Sequence, residues 1–221
     1  MFYEVVVNEW GETTYVPTTA GNVLLFVLIL AFLALTLVFV RKHSLKLTVK
    51  QLTFCSLAIA LGTVLSNIKV FSFPTGGSIT LLSMLIICVP GYLFGLGAGI
   101  MTGVAYGILQ MLVDPYILFP MQLVVDYLLA FGALGLSGAF HNSKHGLLKG
   151  YILAVLGRYF FAVLSGCIFF GTYAWEGWNP LAYSCVYNGI YIFAEAGITI
   201  LILLVPAVTR AFGTVKRMAL E

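Results

Sequence analysis

The feature that most constrains this chain is the segment 79–113, thirty-five residues without a single charge. One helix of that length would extend roughly 50 Å, well beyond a hydrocarbon core of about 30 Å. The segment therefore predicts two apolar helices joined by a break, and Pro90-Gly91 is the expected breakpoint. Composition agrees, because 61% of the residues are hydrophobic and 9% are charged. We predict an all-α integral membrane protein.

Other apolar runs supply the remaining helices. The first run, at 23–40, contains eighteen residues and is long enough to span a bilayer alone. The other runs predict core helices at about 52–70, 121–140, 148–170 and 183–205. With the two helices inside 79–113, the sequence predicts a six-helix bundle preceded by one additional N-terminal transmembrane helix.

The basic residues predict how these helices are oriented. Nine of the eleven Lys and Arg residues fall within 41–50, 144–149 and 210–217. With seven spans, these segments all lie on one side, which the positive-inside rule identifies as cytoplasmic. The acidic N-terminus, Asp114 and Glu176 lie on the other side. We therefore expect a multi-pass membrane protein with its N-terminus outside and its C-terminus in the cytoplasm.

The same pattern divides the chain into five regions. These are an extracellular polar N-terminus (1–20), the extra transmembrane helix (21–41), a basic cytoplasmic linker (42–50), a six-helix membrane domain (51–210) and a cytoplasmic tail (211–221). The net charge of +3 without a basic stripe gives no reason to expect nucleic acid as a partner. We expect no metal or cofactor, because the cysteines and histidines lack ligand spacing. No catalytic motif or nucleotide-binding loop indicates an enzyme.

Three charged residues fall inside predicted spans, where ionisable groups are costly and are commonly functional. Asp126 belongs to the fourth core helix, Arg158 to the fifth and Glu195 to the sixth. Polar neighbours share their faces, such as Gln122 one turn before Asp126 and Asn188 two turns before Glu195. These faces predict a ligand pocket between the last three helices. A buried structural ion pair between Asp126 and Arg158 is the alternative reading.

Two further patterns concern packing and the pocket mouth. Trp175 and Trp178 lie in a predicted outer loop, where tryptophans either anchor the chain at the membrane interface or form an aromatic lid over a flat solute. Glycines recur every fourth residue from Gly95 to Gly107, a pattern typical of closely packed membrane helices.

Several stretches resemble the ThiT (YuaJ) family, the thiamine-binding S components of energy-coupling factor (ECF) transporters. One stretch runs from Gln122 through Asp126-Tyr127 to Ala133. The others are Arg158-Tyr159 through Phe169-Phe170, and the segment 173–189 with its Tyr-Ala-Trp-Glu-Gly-Trp run. Gly76-Gly77-Ser78 fits the outer end of the family's first core helix. The resemblance covers about residues 49–210 and implies a six-helix bundle with a pocket near the outer face.

By this resemblance, Asp126 occupies the position of the family's acidic ligand residue and Arg158 that of a basic pocket residue. The resemblance and the polar helix faces together assign the remaining substrate-binding positions to Tyr127, Tyr116, Gly166, Phe170, Tyr183, Asn188 and Glu195. Thiamine carries a thiazolium charge and a planar aminopyrimidine, which a carboxylate and aromatic rings would suit.

The resemblance also implies partners. These are a transmembrane coupling subunit and two ATPase subunits, which complete an ABC-type vitamin importer within the lipid bilayer of the bacterial cell membrane. Ala162 stands where the family has a pocket histidine, so the ligand could instead be a thiamine precursor or another vitamin, including a related cationic heterocycle. A self-contained secondary transporter is a further alternative, although the internal repeats common in that class are not visible.

Overall fold

The computed structural model describes residues 3–7, 13–20, 23, 27, 34, 47–73, 76–114, 116 and 120–221. Most of the predicted leading span (21–41) and of the basic linker (42–50) lies outside the described residues. Near the N-terminus, strands β1 (Tyr3–Val7) and β2 (Thr13–Pro17) pair as an antiparallel hairpin.

The remainder of the described chain is mainly helical, as predicted. Five of its helices are long and apolar enough to cross a membrane, namely α1 (Val49–Asn67), α3 (Leu96–Val113), α4 (Met121–Phe140), α5 (Gly146–Phe169) and α6 (Pro180–Leu203). The shorter apolar helix α2 (Ser83–Phe94) completes the predicted set of six. An additional helix, α7 (Pro206–Leu220), follows α6.

Two predicted boundaries are wrong. Helix α2 continues through Pro90, and the chain breaks at Gly95, whose φ of 91° suits glycine. Membrane helices tolerate an internal proline where neighbouring groups satisfy the freed backbone. The predicted helix at 52–70 also ends earlier, because strand β3 (Lys69–Ser72) follows it and pairs with β4 (Ser78–Thr80).

The glycine stripe brings α3 into backbone contact with α4, as the sequence predicted. A Cβ added to Gly103 would lie 2.4 Å from the carbonyl oxygen of Phe131, and one added to Gly107 would lie 1.9 Å from that of Tyr127. Neither distance leaves room for a side chain. The stripe therefore fixes the position of α4 against α3 at the level of Tyr127, next to Asp126.

The basic segments meet at one end of the bundle. The Nζ of Lys50, at the start of α1, donates to the carbonyl of Met218 in α7 at 2.7 Å. The Nζ of Lys216 in α7 donates to the carbonyl of His141, in the loop before α5. Lys50, the 141–149 segment and the C-terminal helix α7 therefore lie together at this end.

Helix α1 begins with a reciprocal cap. The Thr48 hydroxyl accepts a hydrogen bond from the Gln51 amide at 3.2 Å, and the Gln51 side chain accepts one from the Thr48 amide at 3.0 Å. We expect Thr48→Ala to lower the free energy of unfolding by about 1 kcal/mol. Thermal unfolding in detergent measures this loss. Thr53→Ala, at another exposed threonine of α1, is the control, and equal effects of the two changes would contradict the prediction.

Candidate functional site

A cavity of about 370 Å³ opens at the end of the bundle opposite the basic segments. Its walls come from the end of α1, residues 69–73 and 76–83, the last turns of α3, the first half of α4, the second half of α5 and the first half of α6. The volume is sufficient for a small ligand. The predicted site residues that line it are Asp126, Tyr127, Tyr116, Arg158, Gly166, Phe170, Tyr183 and Asn188.

Asp126 and Tyr127 lie where α4 departs from regular α-helical geometry. Residues Val124–Leu129 form a π-helical segment, a local widening that is frequent at functional sites. The Tyr127 hydroxyl accepts a hydrogen bond from the Tyr116 amide at 2.7 Å, and the Gln122 side chain donates to the Tyr116 carbonyl at 2.7 Å. The same helical turns thus present Asp126 to the cavity and hold Tyr116 at its edge.

Arg158 lies in the cavity wall without pairing to Asp126. Its guanidinium carbon is 4.5 Å from the centre of the Phe131 ring, a cation–π contact. Among the described residues, the ion pair observed is Lys69–Asp114 at 2.5 Å, both of which line the cavity. The alternative interpretation of a direct Asp126–Arg158 ion pair is therefore wrong. Both charges contribute to the lining of one cavity and remain able to interact with a ligand.

Helix α6 holds the loop that joins β3 to β4. The Tyr187 hydroxyl donates to the Gly76 carbonyl at 2.6 Å. A Cβ at Gly77 would lie 2.7 Å from the ring of Tyr191, and the Tyr191 hydroxyl donates to the Asn188 side-chain oxygen at 2.5 Å. Glycine is required at position 77 both by this contact and by its φ of 82°. Tyr187, Asn188 and Tyr191 thereby fix one wall of the cavity.

Glu195 was predicted to bind substrate, but the structure places it outside the cavity lining. The residue is buried, but its carboxylate lies outside the lining of the cavity and accepts hydrogen bonds from the segment that begins α2. Its oxygens accept from the Thr80 hydroxyl at 2.6 Å, the Thr80 amide at 3.2 Å, the Met84 amide at 3.0 Å and the Ser83 hydroxyl at 3.3 Å. Because Thr80 and Ser83 do line the cavity, Glu195 lies directly behind its wall.

Aromatic rings surround the mouth. Tyr116 and Phe170 are stacked with centroids 5.9 Å apart and planes 15° apart. Trp175 packs edge-on against Tyr183 at 5.1 Å, but both Trp175 and Trp178 are nearly half exposed and lie outside the lining. The described aromatic rings that line the cavity are thus those of tyrosine and phenylalanine, and Trp175 packs against one of them, Tyr183, from outside the lining.

The sequence did not indicate every residue that the cavity uses. Phe73, Thr80, Ser83 and Ser165 also line it. The Gly76-Gly77 pair was the available signal for the first three, because a double glycine marks a tight turn that another element can approach closely. For Ser165 the available signal was the neighbouring Gly166. Helix α5 approaches α6 so closely there that a Cβ added to Gly166 would lie 2.1 Å from the Ser184 hydroxyl oxygen.

Comparison with known proteins identifies the family. A family model described as thiamine transporter protein (Thia_YuaJ) matches residues 52–212. Thiamine transporter ThiT of Bacillus subtilis is 35% identical over 135 residues, which cover 55% of this chain and 70% of that protein. ThiT of Lacticaseibacillus paracasei is 30% identical over 105 residues, which cover 42% and 52%.

A solved structure of ThiT from Listeria monocytogenes shares the fold. Its TM-score is 0.59 at 30% sequence identity, and the match covers 70% of this chain and 92% of that one. The resemblance predicted from the sequence is therefore confirmed, and so is the all-α membrane fold. The chain belongs to the Thia_YuaJ family of thiamine transporter proteins, and it is a multi-pass membrane transporter rather than an enzyme.

Proposed function

We propose that this chain is the substrate-binding S component of an ECF-type vitamin importer, and that it binds thiamine in the cavity around Asp126. The ligand proposal rests on one observation: the Asp126 carboxylate and several aromatic rings line a cavity large enough for a small molecule. The names of the relatives support the same ligand.

The chemistry of the lining suits a flat, cationic heterocycle. A carboxylate can neutralise a thiazolium or accept hydrogen bonds from an aminopyrimidine, and both interactions strengthen where water is excluded. The stacked Tyr116 and Phe170 rings offer flat faces to a planar ligand. Asn188 and the hydroxyls of Ser165 and Ser184 add polar contacts that distinguish one heterocycle from another.

We further propose that this cavity opens on the outer face of the membrane. The positive-inside rule places the basic end of the bundle in the cytoplasm, and the cavity lies at the opposite end. A coupling subunit and two ATPase subunits would then supply the energy for release inside. The sequence contains no nucleotide-binding loop of its own, which agrees with that division of labour.

Titration with thiamine tests the ligand directly. The purified chain in detergent should show saturable quenching of tryptophan fluorescence at micromolar or lower thiamine, because Trp175 contacts the cavity residue Tyr183. Mass spectrometry of the protein as purified should detect the same molecule when cells are grown with it. Trp175→Phe should remove most of the quenching, while calorimetry still detects binding.

Two outcomes test the ligand proposal and the transporter-class proposal separately. Saturable binding of a thiamine precursor or another vitamin, with none of thiamine, would overturn the ligand but leave the S-component proposal. The replacement of the family's histidine by Ala162, which lines the cavity, makes the precursor the first compound to compare. Uptake of ligand into liposomes by this chain alone, without ATP or partner subunits, would overturn the S-component proposal.

A further inference from the structure

A second cavity, of about 490 Å³, lies at the basic end of the bundle, far from the thiamine site proposed above. The loop before α5, the first turn of α5, the end of α6 and helix α7 enclose it. We call it the basic-end cleft. No residue of this cleft belongs to the lining of the first cavity.

Part of the lining of the basic-end cleft is cationic and polar. Lys216 of α7 lines it, donates to the His141 carbonyl and lies 4.4 Å from the centre of the Tyr92 ring. Among the described residues, no carboxylate pairs with Lys216. Desolvation lowers the pKa of this ammonium group, so a nearby anion would stabilise its charged form. The ammonium has further N–H donors beyond the one that His141 uses.

His145 and the start of α5 also belong to the polar part of the lining. His145 and Gly146 line the cleft, and α5 begins there without a side-chain cap, so the positive end of a 24-residue helix borders it. Lys50, Lys144, Lys149, Arg210 and Arg217 belong to the segments around this end of the bundle. The electrostatic environment therefore favours an anion over a neutral or cationic group.

The rest of the lining is mostly apolar. It includes Leu147, Leu148, Leu203 and Leu204 together with Pro206. Leu203 is the last residue of α6 and is buried, as is Leu147, whereas Leu204 follows the helix and is largely exposed. A free inorganic anion gains nothing from contact with leucine side chains. A molecule with a charged head and an adjoining hydrocarbon part gains from both the polar and the apolar part of the lining.

We propose that the basic-end cleft binds the phosphate headgroup of an anionic phospholipid, with Lys216 as its principal contact and the leucine side chains of the lining against the glycerol and upper acyl chains. The cleft lies where the ends of the spans α5 and α6 meet α7, so a bilayer around these spans would bring its headgroups to this level. A juxtamembrane basic residue attracts anionic lipid by about 1 kcal/mol, which corresponds to about fivefold in affinity. The proposal is independent of which vitamin the first cavity binds.

The test uses the full chain, purified in an uncharged detergent and stripped of bound lipid. Native mass spectrometry and thermal unfolding are recorded with phosphatidylglycerol, with phosphatidylcholine of the same acyl chains, and with inorganic phosphate. We expect phosphatidylglycerol to form the more abundant one-to-one adduct and to raise the unfolding temperature. Lys216→Gln should weaken this binding about fivefold, whereas Lys216→Arg should retain most of it.

Two further variants keep the test decisive. Lys149→Gln removes an exposed charge at the same end outside the cleft lining, and it should weaken lipid binding clearly less than Lys216→Gln does. Leu204→Trp narrows the cleft without changing charge and should weaken binding even if Lys216→Gln folds poorly. Equal binding of phosphatidylcholine, equal effects of Lys216→Gln and Lys149→Gln, or competition by inorganic phosphate at similar concentration would overturn the proposal.

Discussion

Glu195→Gln should lower the free energy of unfolding by about 3 kcal/mol, although the side chain keeps its size. The carboxylate accepts hydrogen bonds from two backbone amides and two hydroxyls in the segment Thr80–Met84, and all of these groups are at least partly buried. A glutamine retains one acceptor oxygen and turns an NH₂ group toward other donors. Buried donors left without an acceptor are costly, and bonds to an ionised acceptor are the stronger ones.

The measurement is unfolding in detergent, compared with Glu176→Gln. Glu176 is an exposed acid in the 174–179 loop, so its replacement changes net charge equally and should shift stability by less than about 0.5 kcal/mol. Ligand affinity should also fall in Glu195→Gln, because Thr80 and Ser83 line the first cavity. If both variants unfold at the same temperature as the original chain, the Glu195 carboxylate does not stabilise the segment Thr80–Met84.

Glu195 also illustrates what the sequence could and could not predict. Its helical spacing from Asn188 predicted that the two residues lie on one side of α6, and both are buried. The periodicity of a helix does not specify which element packs against that side. The short hairpin β3–β4 and the start of α2 occupy it, and this hairpin was not predicted because its strands are only four and three residues long. The carboxylate therefore contacts Thr80 to Met84 instead of a ligand.

The fold was more predictable than the contacts within it. Lengths of uncharged, apolar sequence determine how many helices form, because backbone polar groups in lipid must be satisfied within a helix. The polar faces of α4, α5 and α6 then indicated a shared cavity. Whether Arg158 meets Asp126 or Phe131 depends on the rotation of α4, which its close contact with the glycines of α3 and its π-helical segment determine together.

Pro90 shows the opposite error, in which a local signal was given too much weight. Proline usually ends a helix in water because it removes one amide donor and crowds the preceding turn. In α2 the helix continues, and Gly91 allows α4 to approach so closely that an added Cβ would lie 2.3 Å from the Ser137 hydroxyl oxygen. The pair Pro90-Gly91 thus lies in the contact between α2 and α4. The chain turns from α2 into α3 at Gly95, which has a positive φ.

Asp126→Asn should weaken thiamine binding at least tenfold, or about 1.4 kcal/mol, while the protein remains folded. The substitution keeps the shape of the side chain and removes its charge. In a cavity that shelters the ligand from water, a carboxylate near a permanent cation is worth more than an exposed pair, because water screens it less. Isothermal titration calorimetry on the detergent-purified variants measures the change directly.

Asp114→Asn is the matched control for this experiment. Asp114 also lines the cavity, but it is exposed and already paired with Lys69, so its replacement should change affinity by less than about threefold. Near-unchanged affinity in Asp126→Asn would mean that its carboxylate does not recognise the ligand.

If affinity does fall, a thiamine analogue with an uncharged ring in place of the thiazolium distinguishes two roles of the carboxylate. If Asp126 neutralises the cation, the analogue binds both forms of the protein equally. If Asp126 accepts hydrogen bonds from the aminopyrimidine, the analogue loses affinity for the Asn variant as thiamine does.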